Sequence, residues 1–101
     1  MAKLSDKSSI GTSFHHTTIR TTLSELRQVL GNPQIEGNDG EDKTNIDYVC
    51  ENNLGDVFTI YDWKEYRPIS ENEVIEFHIG GKNKIITEQS KEELIKQINR
   101  L

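Results

Sequence analysis

Three short segments of two-residue alternation limit most strongly what this chain can become. Ile46, Tyr48 and Cys50 interleave with Asp47, Val49 and Glu51, and Ile75, Phe77 and Ile79 interleave with Val74, Glu76 and His78. Between them, Val57 to Trp63 (VFTIYDW) carries apolar or aromatic residues in both alternate sets. A period of two sends successive side chains to opposite faces of an extended strand, so each segment offers one face to a core. The turn residues of Asn52-Asn-Leu-Gly-Asp56 join the first two segments as a β-hairpin. The 57–63 strand is expected at the centre of the sheet and covered on both faces, because neither of its sides is polar.

Helix signals are equally local. Thr22-Leu-Ser-Glu25 matches a capping box ahead of Leu23, Leu26, Val29 and Leu30, and Gly31 with Pro33 supplies the stop. Ser90-Lys-Glu-Glu93 matches a second box ahead of Leu94, Ile95, Ile98 and Leu101. The Thr-rich stretch Gly11 to Ile19 reads as a strand, and Gly80 to Asn83 as a turn into a short strand Lys84–Thr87. Asn32 to Thr44 and Lys64 to Glu73 read as loops, and residues 1–9 as a flexible arm ahead of a single domain over 10–101. The order β-α-β-β-β-(β)-α predicts an α+β fold, a small antiparallel-type sheet of four to five strands with two helices packed on one face.

Composition narrows the function classes. With 101 residues and a hydrophobic fraction of 33%, the chain has room for one thin core, which favours a homo-oligomer, a dimer or tetramer. A net charge of -5 and the lack of a basic stripe oppose duplex nucleic acid as a partner. The single cysteine, Cys50, cannot form an internal disulfide or a multi-cysteine zinc site, and its alternation suits a buried apolar thiol. No apolar leader or membrane-length apolar run appears, so a cytoplasmic location away from membranes is expected.

Several residues could carry chemistry. His16 with Thr18, and His78 on a later strand, resemble the paired histidine strands of small phosphoesterases. The second half reads His78-Ile-Gly80, however, without the phosphate-binding hydroxyl. His15, His16 and His78 with Asp62 have the side-chain types of a metal site but not its spacing, and no metal or cofactor is expected. The densest cluster is Phe58 to Lys64 followed by Tyr66 and Arg67. Alternation puts Thr59, Tyr61 and Trp63 on one face. A core-facing Tyr and Trp would give this pattern, and so would a nucleotide site in which aromatic rings stack on bases while Lys64 and Arg67 meet phosphate. Ser8, Ser9, Thr12, Ser13, Thr17 and Thr18 add hydroxyl donors. The acidic segment Glu36 to Asp42 reads as a solvated loop or as a surface that binds a host protein.

Taken together, Gly-Thr-Ser-Phe-His-His-Thr-Thr-Ile19, Leu30-Gly-Asn-Pro33, Phe-Thr-Ile-Tyr-Asp-Trp-Lys64 and Phe-His-Ile-Gly-Gly81 resemble a group of small phage proteins over most of residues 11 to 81. The group is identified as the anti-CBASS sponge family. The resemblance implies a phage-encoded, oligomeric, non-catalytic binder that sequesters a cyclic dinucleotide immune signal such as 3′,3′-cGAMP in the host cytoplasm. On that reading Tyr61, Trp63 or Tyr66 stacks on bases. Arg20, Lys64 and Arg67 meet phosphates, and His16, Thr17 and Thr18 donate hydrogen bonds.

Overall fold

The computed structural model describes residues 1–37, 45–65 and 67–101. The strands are β1 (Lys3–Leu4), β2 (Ser13–Thr21), β3 (Ile35–Glu36), β4 (Ile46–Glu51), β5 (Val57–Tyr61) and β6 (Ile75–Gly81), and the helices are α1 (Leu23–Leu30) and α2 (Lys84–Asn99). All the pairings are antiparallel, in the order β1-β4-β5-β6-β2, with β3 also on β4. The fold is α+β, as expected, with both helices against the sheet.

The alternating segments divide between the two faces as their period requires. Tyr48, Cys50, Phe58, Ile60, Phe77 and Ile79 are each 0% exposed, and they share one core with Leu23, Leu26, Leu30 and Leu94 from the helices. The intervening residues Val49, Thr59, Tyr61 and His78 are only half-buried. β5 is central in the order, yet the helices cover only one of its faces, and its last strand residue is Tyr61, not Trp63. The expected double coverage fails because both helices lie on the same side.

Capping fixes the start of α1. Thr22 Oγ1 accepts from Glu25 N at 3.1 Å, and the Glu25 carboxylate accepts in return from Thr22 N at 3.4 Å. At the other end Gly31 turns the chain with φ 93°, and its carbonyl accepts from the Tyr48 hydroxyl at 2.8 Å. That bond ties the end of α1 to the middle of β4.

The second helix departs from expectation. It begins at Lys84, where Asn83 caps it by accepting from Ile86 N at 2.9 Å, so the segment Lys84–Thr87 is helical and not a strand. Ser90 is no cap; it is fully buried inside the helix, donates to Ile86 O at 2.7 Å and accepts from Asn52 Nδ2 at 3.2 Å. The Asn cap and the burial of Thr87 and Ser90 against the sheet outweigh the strand preference of Ile85 and Ile86.

Residues 1–9 also begin as structure and not as a flexible arm. Ala2 is 2% exposed, its N–H donates to Gln97 Oε1 at 2.7 Å, and Lys3 and Leu4 pair with Glu51 and Cys50. Ile35 and Glu36, expected in a loop, pair with Asp47 and Ile46. These two-residue strands raise the sheet to six.

Asp62, just past β5, is 0% exposed and accepts from Asn45 N and Asn45 Nδ2, each at 2.7 Å, and from Ile46 N at 2.9 Å. This carboxylate holds the start of β4 against the end of β5, and those bonds commit it to two backbone amides and the Asn45 side chain. Asp62→Ala strands buried donors, so it is expected to lower stability by about 2–4 kcal/mol in urea unfolding.

Candidate functional site

Among the described residues, the uncovered face of the sheet collects the aromatic side chains that the core does not use. Register sets Tyr61 of β5 opposite His78 of β6, and His78 in turn opposite Thr18 of β2. The His78 ring stacks on Phe14 with centroids 4.1 Å apart and planes 14° from parallel, and it lies 6.0 Å from the Trp63 ring at 23°. Tyr61 meets both neighbours edge-on, at 5.5 Å from His78 and 6.1 Å from Trp63. His16 completes the row with an edge contact to Phe14 at 5.1 Å. Five rings from three strands and one loop thus form a connected surface.

Local backbone features aim these side chains. The β2–β6 ladder shifts register between Phe14 and Thr17, and His16 sits in this bulge with φ 66°, which pushes its ring out. His15 donates from Nε2 to the Gly81 carbonyl at 3.0 Å, and Lys84 Nζ donates to His15 O at 3.1 Å, so both sides of the bulge are anchored. Beyond β5, Lys64 adopts φ 57° and swings Nζ to 5.7 Å from the centre of the Trp63 ring, a cation–π contact. Gly80 keeps the floor between β2 and β5 open, because a Cβ there would lie 2.5 Å from Thr59 Oγ1.

A cavity of about 370 Å³ lies on this face, lined by Thr59, Tyr61 and Trp63, by Ser9, Thr12 and Ser13, and by the Asp47 carboxylate. Its size falls in the range of small-ligand sites. Burial, and then the nearby Asp47 carboxylate, push the Tyr61 hydroxyl up from its ordinary range, so it stays a neutral donor. Burial likewise pushes His78 down, against the opposing pull of Glu76, so its imidazole is held toward the neutral form.

The sequence-derived site divides accordingly. His16, Thr18, Tyr61, Trp63 and Lys64 come together on the open face, and Arg20 stands exposed further along β2, opposite Glu76. Thr17 does not belong to the site. It is 2% exposed on the helix side, where its hydroxyl meets Thr87 Oγ1 at 2.7 Å and donates to Glu88 at 3.0 Å. Arg67 is also occupied elsewhere, with its guanidinium forked onto Glu73 at 2.8 and 2.6 Å. Tyr66 lies outside the described residues, as does most of the acidic segment 36–42. Glu36 itself pairs with Arg27.

No sequence signal marks Phe14 or Gly80 as a site residue, and His78 reads from the sequence only as a catalytic or metal group. The alternation of β6 already points His78 away from the core, but its stacking on Phe14 depends on the bulge, which has no linear signature. Burial pushes the Cys50 thiol up to about 12, in line with its reading as an inert apolar group. Among the described residues no helix is long and apolar enough to cross a membrane.

No family model, curated protein or solved structure matches the chain.

Gly80→Ala is expected to destabilise the fold by about 1–3 kcal/mol through overpacking against Thr59. The double variant with Thr59→Ala should recover most of that loss in thermal or urea unfolding. A second expectation concerns pH. Because folding favours neutral His78, the unfolded chain takes up its proton first, and this contribution is complete above about pH 6.5. It is lost as pH falls below that value toward the folded-state pKa. Urea midpoints of the wild type should therefore drop more on acidification than those of His78→Gln.

Proposed function

We propose that this protein is a non-catalytic binder of a cyclic dinucleotide, such as 3′,3′-cGAMP, that acts as a phage-encoded sponge against host antiphage defence. The observation that carries the reading is the ring surface of Phe14, His16, Tyr61, Trp63 and His78 on the uncovered sheet face. Aromatic rings on an open sheet offer stacking platforms for flat bases, worth about 1–3 kcal/mol per base. Lys64 beside Trp63, and Arg20 on β2, place positive charge at two ends of that surface for phosphates. The Tyr61 hydroxyl and the hydroxyls of Thr18, Ser9 and Ser13 supply neutral donors. A small ligand with two phosphates tolerates the net charge of -5 far better than a duplex would.

The resemblance of the motifs quoted over most of residues 11 to 81 to the anti-CBASS sponge family is the ground for the choice of ligand and for the homo-oligomeric, cytoplasmic setting. Sequestration from a receptor calls for nanomolar affinity, about -12 kcal/mol. The non-catalytic part is supported by His78, which is packed face-on against Phe14 as a stacking group.

Isothermal titration against a panel of cyclic dinucleotides tests the proposal. Tight binding of at least one member is expected, with Trp63→Ala weakening it by about 10- to 100-fold and Thr17→Val having little effect. Absence of heat with every member sinks the reading. Ligand recovered after denaturation should be intact; a linearised product would instead favour a phosphodiesterase using His16 and His78.

A further inference from the structure

We propose that two copies of the chain join through the outer edge of β2, antiparallel about a two-fold axis at Ile19, so that their sheets run on as one. The proposal deepens the assembly part of the sponge reading. It stands on strand topology, and so it can fail or hold independently of ligand binding.

The strand order leaves β2 at one end of the sheet, where seven of its nine residues pair with β6 and none with another described strand. A long edge strand presents unpaired backbone donors and acceptors that fit another strand and little else. The opposite end is different, because β1 is two residues long and its Lys3 is paired with Glu51. With one long edge among the described strands, pairing of like edges closes at a dimer.

The residues of β2 favour this partner. Past its bulge, the strand segment Thr17 to Thr21 lacks the proline, lysine or acidic residue that usually blunts an edge, and Arg20 is its one Arg or Lys. The bulge ends regular pairing before Thr17, which leaves Thr17-Thr-Ile-Arg-Thr21 as the straight segment. About an axis at Ile19, Ile19 faces its own copy, Thr17 faces Thr21, and Thr18 faces Arg20. No like charges oppose one another, and β-branched pairs fill the ladder. An axis perpendicular to the sheet keeps all helices on one side and joins the two open faces on the other. It places the two Arg20 residues, one from each copy, within about 8 Å of each other in Cα position. A ligand with two phosphates would meet both.

Sedimentation and native mass spectrometry of the ligand-free chain over a dilution series test this. A dimer is expected, with amides of residues 17–21 better protected from hydrogen exchange at concentrations where it forms. Thr18 is half-exposed on the open face, so charge changes there leave the core intact. Thr18→Lys sets a lysine against the second copy's Arg20 twice and should raise the dimer dissociation constant by at least about tenfold. Thr18→Glu should lower it. A chain that stays monomeric at every concentration overturns the proposal. So does a dimer that responds to both variants in the same direction or to neither, since that dimer uses another surface.

Discussion

Both helices pack against the same side of one antiparallel sheet, and nearly everything else in the molecule follows from that one-sided burial. Phe58, Ile60, Phe77 and Ile79 are drawn under α1 and α2 and lose all contact with water. By strand geometry their neighbours Thr59, Tyr61 and His78 must then face the other way, where no helix covers them. Burying the first set forces the second into view, and a one-residue slip of register would exchange them. The buried Asp62 carboxylate and the Tyr48–Gly31 bond hold that register from the ends of β5 and α1.

The open face is therefore fixed by the core, although little of it belongs to the core. It carries a row of stacked and edge-on rings in place of the charged residues that usually solvate an exposed sheet. Its charges are Arg20 opposite Glu76 on one side, Lys64 over Trp63 on the other, and the Asp47 carboxylate opposite Tyr61 at the cavity. Such a surface suits a ligand that is flat in the middle and anionic outside. Duplex nucleic acid, by contrast, would need a continuous run of positive charge. The proposed nucleotide role and the proposed edge pairing draw on the same asymmetry, because a dimer through β2 would extend this face without covering it.

Much of the fold was legible in the sequence because its signals are local. The Thr22–Glu25 capping box and the Gly31 stop define α1, and the alternation of 46–51 and 75–79 names the core residues of β4 and β6. Where signals compete, sequence reading fails. Ile85, Ile86 and Thr87 have strand preferences, yet the Asn83 cap and the fit of Thr87 and Ser90 against the sheet make them helix. β1 has no pattern in two residues; it exists because Ala2 fills the core and Gln97 satisfies its backbone. Thr17 and Thr18 are indistinguishable as letters, and it is the alternation around Ile19 that sends Thr17 into the core and Thr18 to the open face. The pairing of Tyr61 with His78, and the stacking of Phe14 on that histidine, come from register and not from spacing along the chain.

The central claim is that the uncovered sheet face is a nucleotide-binding surface. It is tested most directly by titrating the ¹⁵N-labelled chain with 3′,3′-cGAMP and mapping the amide and indole shifts. The account predicts changes concentrated at Thr18, Thr59, Tyr61, Trp63, Lys64 and His78, with the Trp63 indole among the largest, and little change along α2. A spectrum that does not respond to the ligand, or shifts centred on the helices, would contradict it.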